Sequence, residues 1–102
     1  SMKTSETKLA TAGLGLAGEG GECADLVKKI LFHGLPLDET TIVKLKKELG
    51  DLIFYIAFTA QHVCNTNVQE IIDLNYAKLS DRYKDGKFSV DAFLAKEAKK
   101  NE

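Results

Sequence analysis

The 102-residue sequence has a single proline, two cysteines and no long apolar run. No apolar stretch approaches the ~20 residues that a membrane-spanning helix needs, and the amino terminus is polar, unlike a signal peptide. The net charge is only −1. Proteins that bind nucleic acids or anionic membranes typically carry a strong positive charge, so the net charge does not indicate either function. The composition therefore predicts a compact, soluble protein.

The two cysteines, Cys23 and Cys64, both lie in segments with a helical pattern. Because no secretory signal precedes them, we expect two reduced, buried thiols in a cytoplasmic protein and not a disulfide. No Cys/His spacing resembles a zinc site. Ser1 before Met2 resembles the remnant of a cleaved tag.

The sequence also lacks the period-two alternation of half-buried strands, and its apolar residues recur at helical spacing. The predicted fold class is therefore all-α, in one domain over residues 1–102. Residues 1–7 are expected to be frayed, residues 8–88 to form the main helices, and residues 89–102 to form a C-terminal helix and tail. The helices are predicted from Lys8 to about Phe32, from a cap at Asp38 or Thr40 to between His62 and Asn65, from a capping box at Asn67 and Glu70 to about Asp85-Gly86, and from Ser89 through Leu94 to the charged tail Lys96 to Glu102.

Short links between long helices imply antiparallel neighbours in a bundle. Gly34, followed by Pro36, suits the left-handed position after the first helix. In the second helix, residues 52–58 are apolar on all sides, so this segment is expected to be buried all round. Two long helices and a short tail can hardly surround it, so we expect a homodimer or homotetramer to complete the bundle.

Five glycines lie in the first predicted helix, and Gly13 to Gly18 match the dinucleotide-binding glycine pattern. That pattern requires a preceding strand and a βαβ unit, which the sequence does not predict, so we reject the match. The glycines are expected to allow a close helix–helix approach or a local break, or to clear space beside Glu19 and Glu22 for a ligand. These interpretations are compatible.

Two pairs of carboxylates, Glu19 with Glu22 and Glu48 with Asp51, have a three-residue spacing that puts each pair on one helix face. At about 100° per residue, Glu19 falls on the buried stripe, and the other three lie at the margins of the apolar stripes. Unpaired carboxylates are costly to bury. The four side chains could form structural salt bridges with nearby lysines, but two such pairs favour a shared hard cation, Mg²⁺ with Mn²⁺ as a substitute.

The third predicted helix places Asn75 on its apolar stripe, flanked by Lys78 and Arg82. Such cations can neutralise a phosphate chain that Asn75 positions, while water activated by the metal and a spare carboxylate attacks phosphorus. Tyr55 and Phe58 lie on the carboxylate side of the second helix, where they could stack on a base or form part of the core.

These motifs resemble the signature of MazG-like proteins over roughly residues 9–88. The resemblance rests on Leu14-Gly15-Leu16-Ala17-Gly18-Glu19-Gly20-Gly21-Glu22, Lys28-Lys29, Phe32-His33-Gly34, Glu48-Leu49-Gly50-Asp51 with Tyr55, Asn75-Tyr76-Ala77-Lys78-Leu79, and Arg82-Tyr83 before Asp85-Gly86.

The resemblance implies an all-α nucleoside triphosphate pyrophosphohydrolase that yields a nucleoside monophosphate and pyrophosphate. The implied Mg²⁺ ligands, which are also the catalytic residues, are Glu19, Glu22, Glu48 and Asp51. The implied substrate-binding residues are Lys29, Tyr55, Asn75, Lys78 and Arg82. A phosphoribosyl-ATP pyrophosphohydrolase and a non-catalytic nucleotide-binding module are the alternatives, and nothing indicates a nucleic-acid or membrane partner.

Overall fold

The computed structural model describes residues 3–83 and 90–100, which form four helices and no strand. This confirms the all-α class for the described part of the chain. The chain divides into two compact units, Ser1–Val68 and Gln69–Glu102. The helices are α1 (Thr4–Phe32), α2 (Glu39–His62), α3 (Val68–Arg82) and α4 (Val90–Lys100).

The first unit is built on α1 and α2, which pack against each other. The first half of α1 packs against the second half of α2, because Gly15 contacts Tyr55. The end of α1 lies beside the first half of α2, because Lys29 and Lys44 line the same cavity. The predicted antiparallel pairing is therefore confirmed for these two helices. Helix α1 starts at Thr4, so the prediction that residues 1–7 are frayed is wrong from Thr4 onward, where a hydrogen bond from the Thr7 amide to the Lys3 carbonyl closes the first turn.

The link between α1 and α2 follows the predicted stop and start signals. Gly34 has a φ of 74°, the left-handed conformation that glycine adopts without steric cost. The Asp38 carboxylate then accepts a hydrogen bond from the Thr41 amide at 3.0 Å, so Asp38, and not Thr40, caps α2. The Thr41 hydroxyl is buried and donates to the Pro36 carbonyl at 2.7 Å, which ties the link to the new helix.

We expect the Asp38 cap to matter for stability. Replacing Asp38 with alanine should lower the melting temperature at pH 7 by about 4–8 °C. Asparagine is an equally good cap, so Asp38→Asn should retain most of the stabilisation. The Thr41 hydrogen bonds hold the pKa of Asp38 below its ordinary 3.8. The stabilisation is therefore fully present above pH 3.8 and is lost as the pH falls through the lower folded-state pKa. The melting temperatures of the wild type and of Asp38→Ala should therefore converge in strong acid.

A continuous α1 passes through all five of its glycines, so the alternative of a local break is wrong. Only Gly15 marks a close approach, because a Cβ there would overlap the Tyr55 ring on α2. Beside Gly13, Gly18, Gly20 and Gly21 there is open space.

The sequence predicted that the apolar run of α2, residues 52–58, is buried on all sides, and this prediction is wrong. The side chains of Ile53 and Phe54 are 59% and 61% exposed, whereas Ala12, Thr41 and Ala60 are buried. Helix α1 therefore covers one side of α2 and leaves the other apolar side on the surface of the first unit.

The cysteines are both free thiols, as expected, but the prediction that both are buried is wrong: Cys23 is half-buried, and Cys64 is exposed just after α2 ends. The α2 helix ends at His62, within the predicted window, and Asn65 follows with a φ of 56°. None of the described helices combines the length and apolarity of a membrane-spanning segment.

In the second unit, α4 contacts the carboxyl end of α3. The Lys96 ammonium donates to the Arg82 carbonyl at 3.3 Å and lies 4.6 Å from the centre of the Tyr83 ring. Helix α3 begins directly after Asn67, as the capping-box pattern predicted, and ends at Arg82. Helix α4 continues to Lys100, so the predicted charged tail that starts at Lys96 is helical as far as Lys100. The predicted signals at Asp85-Gly86 and Ser89 lie outside the described residues.

Candidate metal and phosphate site

Three of the four predicted carboxylates meet where α1 faces α2. Glu19, Glu48 and Asp51 each offer one oxygen, and these oxygens lie within 4.8 Å of one another. Glu48 is half-buried and Asp51 is exposed, in keeping with their predicted place at the core margin, whereas Glu19, predicted on the buried stripe, is only half-buried. The close approach at Gly15 lies one helical turn before Glu19, while its contact Tyr55 lies one turn after Asp51, so the same packing sets both features.

The electrostatics of Glu19 reflect the crowding of carboxylates in this cluster. Burial raises the pKa of Glu19 above its ordinary value, and the neighbouring carboxylates of Asp51, Glu48 and Glu22 raise it further. A bound divalent cation would favour the charged form of all these groups. Oxygen ligands opposite each other on Mg²⁺ are about 4 Å apart, so the observed spacing fits a hard cation after small side-chain rotations.

Glu22, the fourth predicted ligand, lies outside the tight group but close enough to raise the pKa of Glu19. It lines an adjoining cavity of about 370 Å³ together with Glu48. Three lysines, Lys29, Lys44 and Lys47, contribute to the same cavity. Carboxylates and ammonium groups thus line one cavity, an arrangement that suits a metal ion bound together with a polyanion.

The predicted substrate-binding residues are spread over both units. Lys29 lies at the cavity, with its ammonium 3.1 Å from the Asp25 carboxylate. The Tyr55 ring lies against Gly15 and meets Phe54 edge to face at 5.1 Å. On the same helix, the Phe58 ring packs 4.7 Å from His62. Asn75, Lys78 and Arg82 are exposed on α3, in the second unit, and their phosphate-binding role stays a prediction.

Sequence reasoning did not single out Asp25, Lys44 or Lys47 as site residues. The structure places all three at the cavity. For Asp25 a signal was present, since Lys28 and Lys29 follow it by three and four residues, the spacing of helical ion pairs. For the two lysines the sequence holds no such signal, because their place at the cavity depends on how α1 and α2 pack.

Fold and site together define an all-α protein with a cluster of three carboxylates where α1 faces α2. The family model for the MazG nucleotide pyrophosphohydrolase domain matches residues 7–87, and the chain belongs to this family. No curated protein and no solved structure matches the chain.

Proposed function

We propose that the protein is a Mg²⁺-dependent nucleoside triphosphate pyrophosphohydrolase that acts in the cytoplasm, in nucleotide-pool house-cleaning or in control of deoxynucleotide levels. The family supports nucleotide pyrophosphohydrolase activity in general. The observation that carries the proposal for this chain is the group of three carboxylate oxygens within 4.8 Å of one another, next to a cavity with three lysines. The metal preference and the choice of triphosphate are the proposed part.

The carboxylates divide the work between them. Glu19, Glu48 and Asp51 would hold Mg²⁺, with Glu22 beside them, and Mn²⁺ would substitute as another cation that prefers oxygen ligands. When bound, Mg²⁺ polarises phosphate oxygens and lowers the pKa of water. A carboxylate not engaged with the metal, for which Glu22 is best placed, accepts the proton of the attacking water.

The reaction is a displacement at the α-phosphorus. The water oxygen forms a bond to the α-phosphorus, and the bond between the α-phosphorus and the oxygen that bridges to the β-phosphorus breaks. The products are a nucleoside monophosphate and pyrophosphate. Lys29 and the cavity's other lysines offset the negative charge of the departing pyrophosphate. Asn75, Lys78 and Arg82 are assigned to the phosphates on their amide and cationic groups and on the family signature. Tyr55 is assigned to the base side on its aromatic ring and its place on the carboxylate side of α2.

We further propose that the functional form is a homodimer or homotetramer. The support is the surface of α2, where Ile53 and Phe54 lie side by side and are each more than half exposed. Soluble monomers rarely expose large contiguous apolar patches, and such patches often mark protein–protein contacts. Sedimentation equilibrium tests this proposal, and a mass of one chain would contradict it.

A pyrophosphate-release screen tests the proposed activity. Standard and modified ribo- and deoxyribonucleoside triphosphates should yield monophosphate and pyrophosphate in equal amounts with Mg²⁺, and none with a chelator. Release of single phosphates would contradict cleavage at the α-phosphorus. Activity on phosphoribosyl-ATP but on no free triphosphate would favour that narrower hydrolase, and binding by calorimetry without any turnover would favour a non-catalytic module.

A further inference from the structure

Asp25 lies one turn beyond Glu22 on α1 and holds two lysines at once. One carboxylate oxygen is 3.1 Å from the Lys29 ammonium, and the other is 3.3 Å from the Lys28 ammonium. The hydrogen bond from Lys29, followed by that from Lys28, holds the pKa of Asp25 below its ordinary value. Asp25 is therefore charged at neutral pH, and Lys29 is its stronger partner.

Stability does not account for this arrangement. The three side chains are each 44–57% exposed. Exposed ion pairs at helical spacing contribute little, because water screens the attraction and two long side chains lose freedom. The pairing should therefore be removable without unfolding the protein.

The surroundings of Lys29 indicate a different role. Lys29 lines the 370 Å³ cavity together with Asp25, Glu22 and Glu48. Side chains on a helix lean toward its amino end, so the Lys29 side chain leans toward the turn of Asp25 and, beyond it, toward that of Glu22. Along this helix face, Asp25 is thus the carboxylate nearest to Lys29, and Glu22 is the next one toward the amino end.

An ammonium group placed on Glu22 or Glu48 would compete with a metal ion. Two positive charges a few ångströms apart repel, and a divalent cation doubles the effect. In a cavity that binds both a cation and phosphates, the lysine must therefore lie near the metal-binding carboxylates without forming an ion pair with them. The ion pair with Asp25 keeps Lys29 in such a position.

We propose that Asp25 is a positioning residue that holds Lys29 away from the metal-binding carboxylates and so strengthens binding of the divalent cation. The inference rests on the metal site of the proposed function. Lys28 shares the same carboxylate but is not among the residues that line the 370 Å³ cavity; it lines, together with Lys29, a neighbouring cavity beside His33 and Pro36. Lys28 is therefore a matched control: an adjacent residue with the same charge and the same partner, outside the cavity that Glu22 and Glu48 line.

The test is a Mg²⁺ titration of the nucleotide-free protein, followed by thermal unfolding, because a ligand that binds the native state raises the melting temperature. Asp25→Asn should raise the Mg²⁺ concentration needed for the half-maximal shift by about threefold to tenfold. Its melting temperature without Mg²⁺ and its helix content should match the wild type. Adding Lys29→Met should restore the wild-type titration to within about twofold, whereas adding Lys28→Met should not.

The two double variants have the same net charge, so their difference isolates the position of Lys29 from the general loss of negative charge. Equal recovery in both, no recovery with Lys29→Met, or an unchanged titration for Asp25→Asn overturns the inference while the metal site stands. A wild type with no Mg²⁺-dependent shift overturns the proposed metal site and this inference with it.

Discussion

Replacing Glu48 with glutamine is expected to abolish Mg²⁺-dependent pyrophosphate release while leaving the protein folded. Glu48 belongs both to the tight group with Glu19 and Asp51 and to the lining of the adjoining cavity. A neutral amide is a weak ligand for Mg²⁺, and the loss should exceed the ~10–100-fold typical of removing an outer-shell partner of a metal. The rate of pyrophosphate release at saturating Mg²⁺ and circular dichroism are the measurements.

Glu39→Gln is the matched control for this variant. Glu39 is an exposed acid in the first turn of the same helix, away from the carboxylate cluster. Its replacement removes an equal charge from α2 and should leave kcat/KM within about twofold, as expected for a surface site. If Glu48→Gln retained full activity, or if both variants lost activity to the same extent, the assignment of the metal site would be wrong.

Replacing Gly15 with alanine should have the largest effect on stability. The new methyl group would overlap three atoms of the Tyr55 ring, and a ring packed between two helices cannot simply rotate away. Overpacking of this kind costs roughly 1–3 kcal/mol, against a gain of about 0.5–1 kcal/mol for replacing glycine within a helix. We expect a net loss of about 1–2 kcal/mol in the free energy of unfolding, measured by urea denaturation.

Gly13→Ala is the control for this second prediction. Gly13 lies in the same helix, but a Cβ there meets open space, so its replacement should stabilise the protein by about 0.5–1 kcal/mol. Gly15→Ala should also weaken Mg²⁺ binding, because moving α1 away from α2 separates Glu19 from Glu48 and Asp51. Combining Gly15→Ala with Tyr55→Ala should cost less than the sum of the two single changes. Strict additivity would show that the ring contact is not the cause.

The local features of the fold could be predicted because each depends on a few neighbouring residues. Asp38 caps α2, and Gly34 takes the left-handed conformation, since a carboxylate before a helix and a glycine after one meet backbone needs that exist in any tertiary setting. The errors fall where local signals are weak or where distant segments decide. Residues 4–7 carry no apolar stripe yet are helical, and Cys64 follows the end of α2, where it is exposed.

The candidate site divides in the same way. The three-residue spacing placed Glu19 and Glu22 on one helix face and Glu48 and Asp51 on another, and the apolar stripes indicated that these acids lie near the core. Helical periodicity holds no information about what faces a side chain from another helix. For that reason the cavity shared by Lys29, Lys44 and Lys47 was not foreseen, and only one of the five glycines proved to be a contact point.

Periodicity, capping and spacing within single helices were enough to predict the all-α class and the four candidate acids, and the short link predicted that α1 and α2 are antiparallel. Which three carboxylates come within 4.8 Å of one another, and which lysines lie beside them, could be read from the structure alone. The physical reason is the packing of α1 against α2 at Gly15 and Tyr55, which sets the relative rotation and height of the two helices. That packing turns two separate pairs of acids into one site.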